Sequence, residues 1–240
     1  MNLGLKGKTA LVTGGIRGIG KQIVRELALE GAHVMATTTG RSEADGIIVT
    51  DYEDLSRLPE EVDILVNNAG STLGVGDPYA PIEDVRRVMA LNFEIPVRLV
   101  NKYAPGMKAK GWGRIVNVSS CSGLEQRGPV AFSCAKAALT AYTRSMGLWI
   151  AKEAPGTVMT AIFPGVVFTA DGHWDKVMQE RPEHATKYLK EQVPVGRFGK
   201  PEEIAPMVAF LCSEQASFMH GALVPVDGGL SKHFWNQVGV

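Results

Sequence analysis

A glycine-rich turn directly after the first apolar run constrains this chain more than any other stretch. The run 10–12, Ala-Leu-Val, is typical of a buried strand, and glycines follow at positions 14, 15, 18 and 20. Residues 21–30 then carry apolar side chains three and four positions apart, as an amphipathic helix does. Such a turn binds anions, because free backbone N–H groups point outward and the missing Cβ atoms let a phosphate approach. The sequence therefore predicts a dinucleotide site; the alternative is a tight turn without a ligand.

Strands and helices alternate along the rest of the chain. Apolar runs predict further strands at 32–38, 47–49, 62–67, 114–119, 157–163 and 223–226. Helical periodicity predicts helices at 81–107, where Pro96 is expected to bend the helix, and at 130–152, 171–191, which Pro182 interrupts, and 201–211. The pattern predicts an α/β fold, a single doubly wound parallel sheet of about seven strands, forming one domain over residues 1–240. The short link 39–46 predicts that one crossover helix is reduced to a loop.

Composition and charge exclude several classes of function. Lys+Arg and Asp+Glu both number 25 and no dense basic run occurs, so neither nucleic acid nor an anionic membrane is an expected partner. No apolar stretch approaches the roughly 18 residues that span a bilayer, and the N-terminus leaves no room for a secretory signal. The three scattered cysteines and the five histidines without ligand spacing predict neither disulfides nor a metal site. We therefore expect a cytoplasmic protein without a metal.

Small, polar and turn-forming residues follow several of the predicted strands. The tetrapeptide 67–70, Asn-Asn-Ala-Gly, follows the fourth strand, Ser119 and Ser120 end the fifth, and Pro164 begins a turn after the sixth. The carboxyl ends of parallel strands share one edge of the sheet, so these residues should line one crevice. Each alone is equally typical of an exposed loop, but together they predict a cofactor cleft.

The order of these motifs resembles that of the short-chain dehydrogenases/reductases over nearly the whole chain. The shared motifs are T-G-x-x-x-G-x-G at 13–20, N-N-A-G at 67–70, N-V-S-S at 117–120, P-G-x-x-x-T at 164–169, R-F-G-K-P-E-E-I-A at 197–205 and D-G-G at 227–229. Much of the chain is similar to the 3-oxoacyl carrier-protein reductases of that family. The resemblance implies a Rossmann-like fold, a nicotinamide cofactor, a small-molecule carbonyl or alcohol substrate, and a homotetramer or homodimer.

The resemblance also implies a catalytic set of Asn, Ser, Tyr and Lys. It implies Asn92 as the Asn, Ser120 as the Ser, with Ser119 as the neighbouring candidate, and Lys136 as the Lys. Asn92 is expected to interrupt its helix and to hold a water near Lys136; an ordinary kink or cap residue is the alternative. The tyrosine should stand four residues before the lysine on the same helix face, but this chain has Phe132 there. Phenylalanine has no proton to donate, whereas a positioned acid–base group contributes about 10²–10⁴ in rate.

Two explanations of Phe132 stay open. Either a tyrosine has been replaced, as is done to trap a complex, or the natural protein has left the family's mechanism. We favour the first, because Asn92, Ser120 and Lys136 all remain. Tyr142 is not an expected substitute, since ten residues along a helix span about 15 Å. The alternative functions are a cofactor-binding sensor or partner subunit, and an elimination or isomerisation enzyme.

Charge favours NADP(H) over NAD(H) as the cofactor. NAD sites of this kind place an acidic residue at the end of the second strand, whereas this strand ends in threonines with Arg41 beyond them. Hydroxyl groups and arginine suit a 2′-phosphate, and Arg17 stands in the glycine turn. The predicted cofactor-binding residues are Gly14, Ile16, Arg17, Gly18, Ile19, Gly20, Thr38, Thr39, Asp51, Tyr52, Asn68, Ala69, Gly70, Lys136, Pro164, Gly165, Val167 and Thr169.

A polar insert at about 169–192 follows the sixth strand. It carries Trp174, Met178 and Tyr188, which predict an apolar lid over the substrate. A helical pair packed on the core is the alternative reading. Further substrate contacts are expected from residues 71–79 and 124–130.

Overall fold

One parallel sheet organises the molecule. The computed structural model describes residues 2–38, 47–49, 55–125 and 128–232. Its strands are β1 Thr9–Val12, β2 His33–Thr38, β3 Ile47–Val49, β4 Ile64–Asn67, β5 Gly113–Val118, β6 Thr157–Pro164 and β7 Leu223–Val226. They form a seven-stranded sheet in the order β3-β2-β1-β4-β5-β6-β7, with every neighbouring pair parallel. The predicted doubly wound α/β sheet is confirmed.

Helices connect the strands and cover both faces of the sheet. They are α1 Gly18–Leu29, α2 Ile82–Met89, α3 Ile95–Lys110, α4 Ser122–Glu125, α5 Val130–Glu153, α6 His173–Glu180, α7 Pro182–Gln192 and α8 Pro201–Leu211. Short 3₁₀ turns lie at Leu55–Arg57 and Glu214–Ala216. Pro182 interrupts the insert as predicted, because it opens α7. None of the helices in the described ranges is both long and apolar enough to cross a membrane.

The helix predicted over 81–107 is interrupted at Asn92, as the resemblance implies for that residue. A π-helical turn, Ala90–Glu94, separates α2 from α3, so the chain does not continue as one regular helix. The interruption comes before Pro96, and it contains the predicted site residue Asn92. The Asn92 side chain donates a hydrogen bond to a backbone carbonyl oxygen of the preceding turn. Apolar periodicity does not reveal this interaction.

Two apolar layers hold the sheet between the helices. On one face, Ile23 and Leu27 of α1 pack with Ile204 and Val208 of α8. On the other face, α3 and α5 cover the sheet with residues that include Leu99. Strands β5 and β6 are buried along their whole length, which explains why they read as continuous apolar runs.

The topology places a crevice at the carboxyl end of β1. The strands on either side of β1 are β2 and β4, whose connections run in opposite directions, and ligands of doubly wound sheets bind at such a switch point. The predicted loop 39–46 and the predicted site residues Thr39, Asp51 and Tyr52 lie outside the described residues. Within the described ranges, no group of three or more His, Cys, Asp or Glu side chains is arranged to hold a metal ion.

Candidate active site

The glycine turn between β1 and α1 is shaped for an anion. Gly14 and Gly18 adopt left-handed backbone angles, with φ of 64° and 53°. A Cβ on Gly20 would lie 2.2 Å from the carbonyl oxygen of Gly14, so no side chain fits there. Helix α1 begins at Gly18, and the N–H groups of its first turn have no partner within the helix. The turn, with the predicted residues Ile16 and Ile19, fits a dinucleotide phosphate.

Asn68 ties the turn to the loop after β4. Its Nδ2 donates to the carbonyl oxygens of Thr13, at 2.9 Å, and Gly14, at 3.2 Å. In return, the Thr13 hydroxyl accepts the N–H groups of Asn68 and Ala69, both at 3.0 Å. Thr13 was not among the predicted site residues, although it is the first letter of the glycine motif. Two loops predicted to bind the cofactor are therefore held as one surface.

Further predicted cofactor residues meet the same edge of the sheet. Thr38 ends β2 and is buried, while Arg17 directly precedes α1 and is exposed. Pro164 ends β6, with Gly165 next, and Val167 forms a parallel bridge to Gly199. Thr169 lies over the glycine turn, since its Cγ2 is 3.2 Å from the position of a Cβ on Gly18. These predicted cofactor residues thus lie in segments at the carboxyl edge of the sheet.

Lys136 lies next to the loop that follows β4, at Gly70. Its Nζ donates to the carbonyl oxygen of Val118 at 2.9 Å, and burial lowers the pKa of the amine to about 8. A Cβ on Gly70 would lie 2.9 Å from this Nζ and 2.8 Å from Oδ1 of Asn92. Since Gly70 itself is exposed, the amine and the amide oxygen converge directly beneath the floor of the crevice.

Asn92 fixes the loop that follows Gly70. Its Nδ2 donates to the carbonyl oxygens of Val88 and Ser71, both at 2.8 Å, and its Oδ1 accepts the Ser71 N–H at 3.2 Å. The side chain is fully buried. The π-helical turn is therefore what lets an amide from the α2–α3 segment reach the edge of the sheet.

The two candidate serines have different environments. Ser119 is buried, and its hydroxyl donates to the carbonyl oxygen of Lys136 at 3.2 Å and lies 3.0 Å from Oγ1 of Thr140. Ser120 is half-buried, and its Oγ accepts the N–H of Ser122 at 3.1 Å. An oxygen that accepts from the backbone keeps its own proton for a ligand. The geometry therefore favours Ser120 over Ser119.

Phe132 occupies the position predicted for the acid–base group. It lies one helical turn before Lys136, whose Nζ is 5.7 Å from the centre of the phenyl ring. The ring packs in an apolar cluster with Val88 and Met89 of α2. Tyr142 packs edge-on against Phe93 instead, and its hydroxyl is buried with no hydrogen-bond partner among the described residues. The prediction that Tyr142 does not take over the role agrees with this placement.

The insert forms a helical hairpin attached through aromatic side chains. Trp174 packs against Tyr188, with ring centres 5.0 Å apart, and against Phe198, at 5.3 Å. Val177 of α6 and Ala185 of α7 are buried, whereas Met178 remains exposed. The structure thus shows a packed helical pair, the alternative to a lid, and a lid function stays a prediction.

Burial of the Lys136 amine predicts how stability depends on pH. The pKa is about 8 in the folded chain against 10.5 for an ordinary lysine, so between these values only the unfolded chain holds the proton. The free energy of unfolding should therefore rise as the pH increases from 8 toward 10.5, and this gain is lost as the pH falls through 8. From about pH 7.5 to 9.5, we expect Lys136→Met to lack about 1–2 kcal/mol of the rise. Urea unfolding at each pH measures both proteins; identical profiles would contradict the buried amine.

Two family models and a curated relative match the sequence of this chain. The family model described as "Enoyl-(Acyl carrier protein) reductase" matches residues 48–231, and the one described as "short chain dehydrogenase" matches residues 8–51. The 3-oxoacyl-[acyl-carrier-protein] reductase FabG of Aquifex aeolicus is 35% identical, over 96% of this chain and 100% of its own length.

Two solved structures are similar in fold as well. A putative 2-deoxy-D-gluconate 3-dehydrogenase from Agrobacterium tumefaciens, with bound NADP, has a TM-score of 0.83 at 28% identity, covering 94% of this chain and 97% of its own. L-Sorbose reductase from Gluconobacter frateurii, complexed with NADPH and L-sorbose, has a TM-score of 0.82 at 28% identity, covering 97% and 99%. The motifs, the sheet and these matches together establish that the chain belongs to the short-chain dehydrogenase/reductase family of oxidoreductases.

Proposed function

We propose that the protein is an NADP(H)-dependent oxidoreductase that interconverts a carbonyl and a secondary alcohol, and that Phe132 limits its turnover. The observation that carries the proposal is the convergence of Lys136 Nζ and Asn92 Oδ1 at Gly70, beside the glycine turn. A buried amine next to a turn that can bind a phosphate is expected at a site where a dinucleotide lies beside a small substrate.

The cofactor would be held along the crevice by the loops already described. The glycine turn would take the diphosphate, and Lys136 would bind the nicotinamide ribose hydroxyls through the N–H bonds not directed at Val118. Asn68 and Ala69 would lie against the adenosine ribose, with Val167 and Thr169 near the nicotinamide and the diphosphate. When bound, the dinucleotide supplies or accepts the hydride.

The protein's own residues would bind the carbonyl oxygen of the substrate and control the proton it receives. Ser120 is placed to donate its hydroxyl proton to a carbonyl oxygen, because its Oγ is already oriented by the Ser122 N–H. Phe132 fills the neighbouring space without a proton to give. Lys136 would supply positive charge, but position 132 carries no phenol through which a proton could reach the substrate.

The similar proteins narrow the range of substrates. One is named for a 3-oxoacyl group on a carrier protein, and another is complexed with L-sorbose, a sugar ketone. We include both acyl and polyhydroxy ketones in the proposed class. The 169–192 hairpin is proposed as the lid over this substrate, and the exposed Leu148 and Trp149 of α5 are proposed to pack in a homodimer or homotetramer.

Removing the positive charge of the glycine turn should reduce the preference for NADP(H). We expect Arg17→Ala to weaken NADPH binding about tenfold, since one charge-assisted contact with the 2′-phosphate is lost, and to leave NADH binding unchanged. Arg25→Ala, on an exposed position of α1, is the matched control. Fluorescence titration of both dinucleotides against the three proteins measures the effect. Tighter binding of NADH than NADPH by the unaltered protein would overturn the cofactor assignment.

Phe132 also supports a second candidate from another class. A protein that binds the dinucleotide without turning over substrate, as a sensor or partner subunit, needs the glycine turn but no acid. The two proposals share cofactor binding and differ in what a hydroxyl at position 132 does. If reduction stays absent with a tyrosine there, the non-catalytic function and the elimination or isomerisation enzyme are the alternatives that remain.

A further inference from the structure

The turn after β7 touches three parts of the proposed site. It consists of Asp227, Gly228 and Gly229, the D-G-G motif of the sequence, to which neither catalysis nor cofactor binding assigns a role. Resting on the proposed function, we propose that Asp227 is a positioning residue: it holds the loop of Ser120, the loop of Gly165 and the end of the hairpin in one arrangement.

The Asp227 carboxylate holds the residue next to the candidate catalytic serine. Its Oδ2 accepts the thiol of Cys121 at 3.5 Å and the N–H of Ser231 at 2.8 Å, while its Oδ1 accepts the N–H of Gly229 at 3.0 Å. Cys121 is only 4% exposed and directly follows Ser120. A shift of this carboxylate is therefore passed on to Ser120 through a single peptide unit.

The backbone of the turn packs directly against the loop after β6. A Cβ on Gly165 would lie 2.7 Å from both Cα and the carbonyl oxygen of Asp227, so the two segments meet with no side chain between them. The Gly165 N–H donates to the carbonyl oxygen of Val226 at 3.1 Å. The N–H of Cys121 also donates to Pro164, at 3.5 Å, which joins the serine loop to the same contact.

The end of the hairpin rests on the other side of the turn. A Cβ on Gly228 would lie 2.6 Å from Cγ2 of Val195, and the Val195 N–H donates to the carbonyl oxygen of Gly228 at 3.4 Å. Val195 follows α7 by three residues, so movement of the hairpin must act on this turn. The chain that follows the turn also contacts α4, because Glu125 accepts the Lys232 N–H at 2.7 Å. This hydrogen bond adds a second link between the chain after β7 and the segment that follows Ser120.

An amide in place of the carboxylate separates positioning from mere stability. In Asp227→Asn, the amide nitrogen cannot accept either N–H or S–H donors, so one oxygen must serve all three. We expect kcat to fall about tenfold or more in the Phe132→Tyr background, which corresponds to about 1.4 kcal/mol of transition-state stabilisation. The dissociation constant of NADPH should stay within about twofold, because the loop of Gly165 contacts only backbone atoms of this segment, which the substitution leaves in place, and the glycine turn lies on other strands.

Asp63→Asn is the matched control. Asp63 likewise accepts hydrogen bonds from a backbone and a side-chain donor, the N–H and the hydroxyl of Thr9 at 2.9 and 3.0 Å, but it lies at the amino end of β4, at the opposite edge of the sheet. We expect both variants to lower the melting temperature and only Asp227→Asn to lower kcat. Equal kcat losses in both, or an unchanged kcat in Asp227→Asn, would overturn the positioning role.

Two further measurements keep the test decisive. If Asp227→Asn does not fold, Cys121→Ala removes the thiol partner alone, and an unchanged kcat there counts against the proposal. If the Phe132→Tyr parent shows no carbonyl reduction, the proposed function fails, and alkylation of Cys121 is measured instead by mass spectrometry. Faster alkylation of Cys121 in Asp227→Asn than in Asp63→Asn supports the positioning role of Asp227; equal rates reject it.

Discussion

Replacing Phe132 with tyrosine is expected to raise kcat for carbonyl reduction by about 10²–10⁴-fold, the contribution of a positioned acid–base group. The ring already lies at the required place, 5.7 Å from Nζ of Lys136 and one helical turn away on the same face of α5. Asn92, Ser120 and Lys136 need no rearrangement to receive it. The change would therefore add a proton donor beside the other three residues of the proposed catalytic set.

The neighbouring amine should bring the new hydroxyl into a useful pKa range. An ordinary tyrosine has a pKa of about 10, and a lysine ammonium nearby favours the phenolate and lowers that value. Steady-state NADPH oxidation with short 3-oxoacyl thioesters and with sugar ketones measures the gain. The rate of Phe132→Tyr should fall with increasing pH as the phenol loses its proton, a step that the unaltered protein lacks.

Tyr142→Phe is the control for this experiment. Its hydroxyl is buried without a partner among the described residues, and burial raises its pKa, so it has no role in proton transfer. Removing it in the Phe132→Tyr background should leave kcat unchanged. If Phe132→Tyr gains no turnover with any ketone while still binding NADPH, the oxidoreductase proposal fails, and the dinucleotide-binding protein and the elimination or isomerisation enzyme remain as alternatives.

The fold was predictable because its signals are local. Strands such as β5 and β6 are buried on both faces and read as apolar runs, and α5 follows the three-and-four periodicity almost to its last residue. The interruption at Asn92 was implied by the family resemblance, but its π-helical form was not predictable from local apolar signals. It depends on hydrogen bonds to Val88 and to Ser71, and Ser71 reaches Asn92 only in the folded chain.

The sequence predicts the candidate site as a list of residues but not as a set of contacts. The glycine motif places an anion-binding turn after β1 from the sequence alone, since each glycine marks a backbone need. Two features required the structure: the choice between Ser119 and Ser120, which depends on the side chains of α5, and the contact of Asp227 with Cys121, which joins residues far apart in the chain. Long-range contacts leave no periodic signal in the sequence.

A single methyl group on the glycine turn should remove cofactor binding. In Gly20→Ala the new Cβ would lie 2.2 Å from the carbonyl oxygen of Gly14 and 2.5 Å from Nδ2 of Asn68. Both neighbours are fixed, Gly14 by its left-handed backbone and Asn68 by its bonds to Thr13, so the turn itself must shift. We expect the dissociation constant of NADPH to rise more than 100-fold, which corresponds to about 2.7 kcal/mol.

Gly106→Ala is the matched substitution for this test. Gly106 lies inside α3, and a Cβ there would meet no atom within 4 Å. The same chemical change should therefore stabilise the fold by about 0.5–1 kcal/mol, because alanine favours the helix, and leave NADPH binding unchanged. Isothermal titration with NADPH and thermal unfolding are measured for both variants. Binding by Gly20→Ala within a few-fold of the parent would show that the dinucleotide does not lie on this turn, and the cofactor site would have to be sought elsewhere along the crevice.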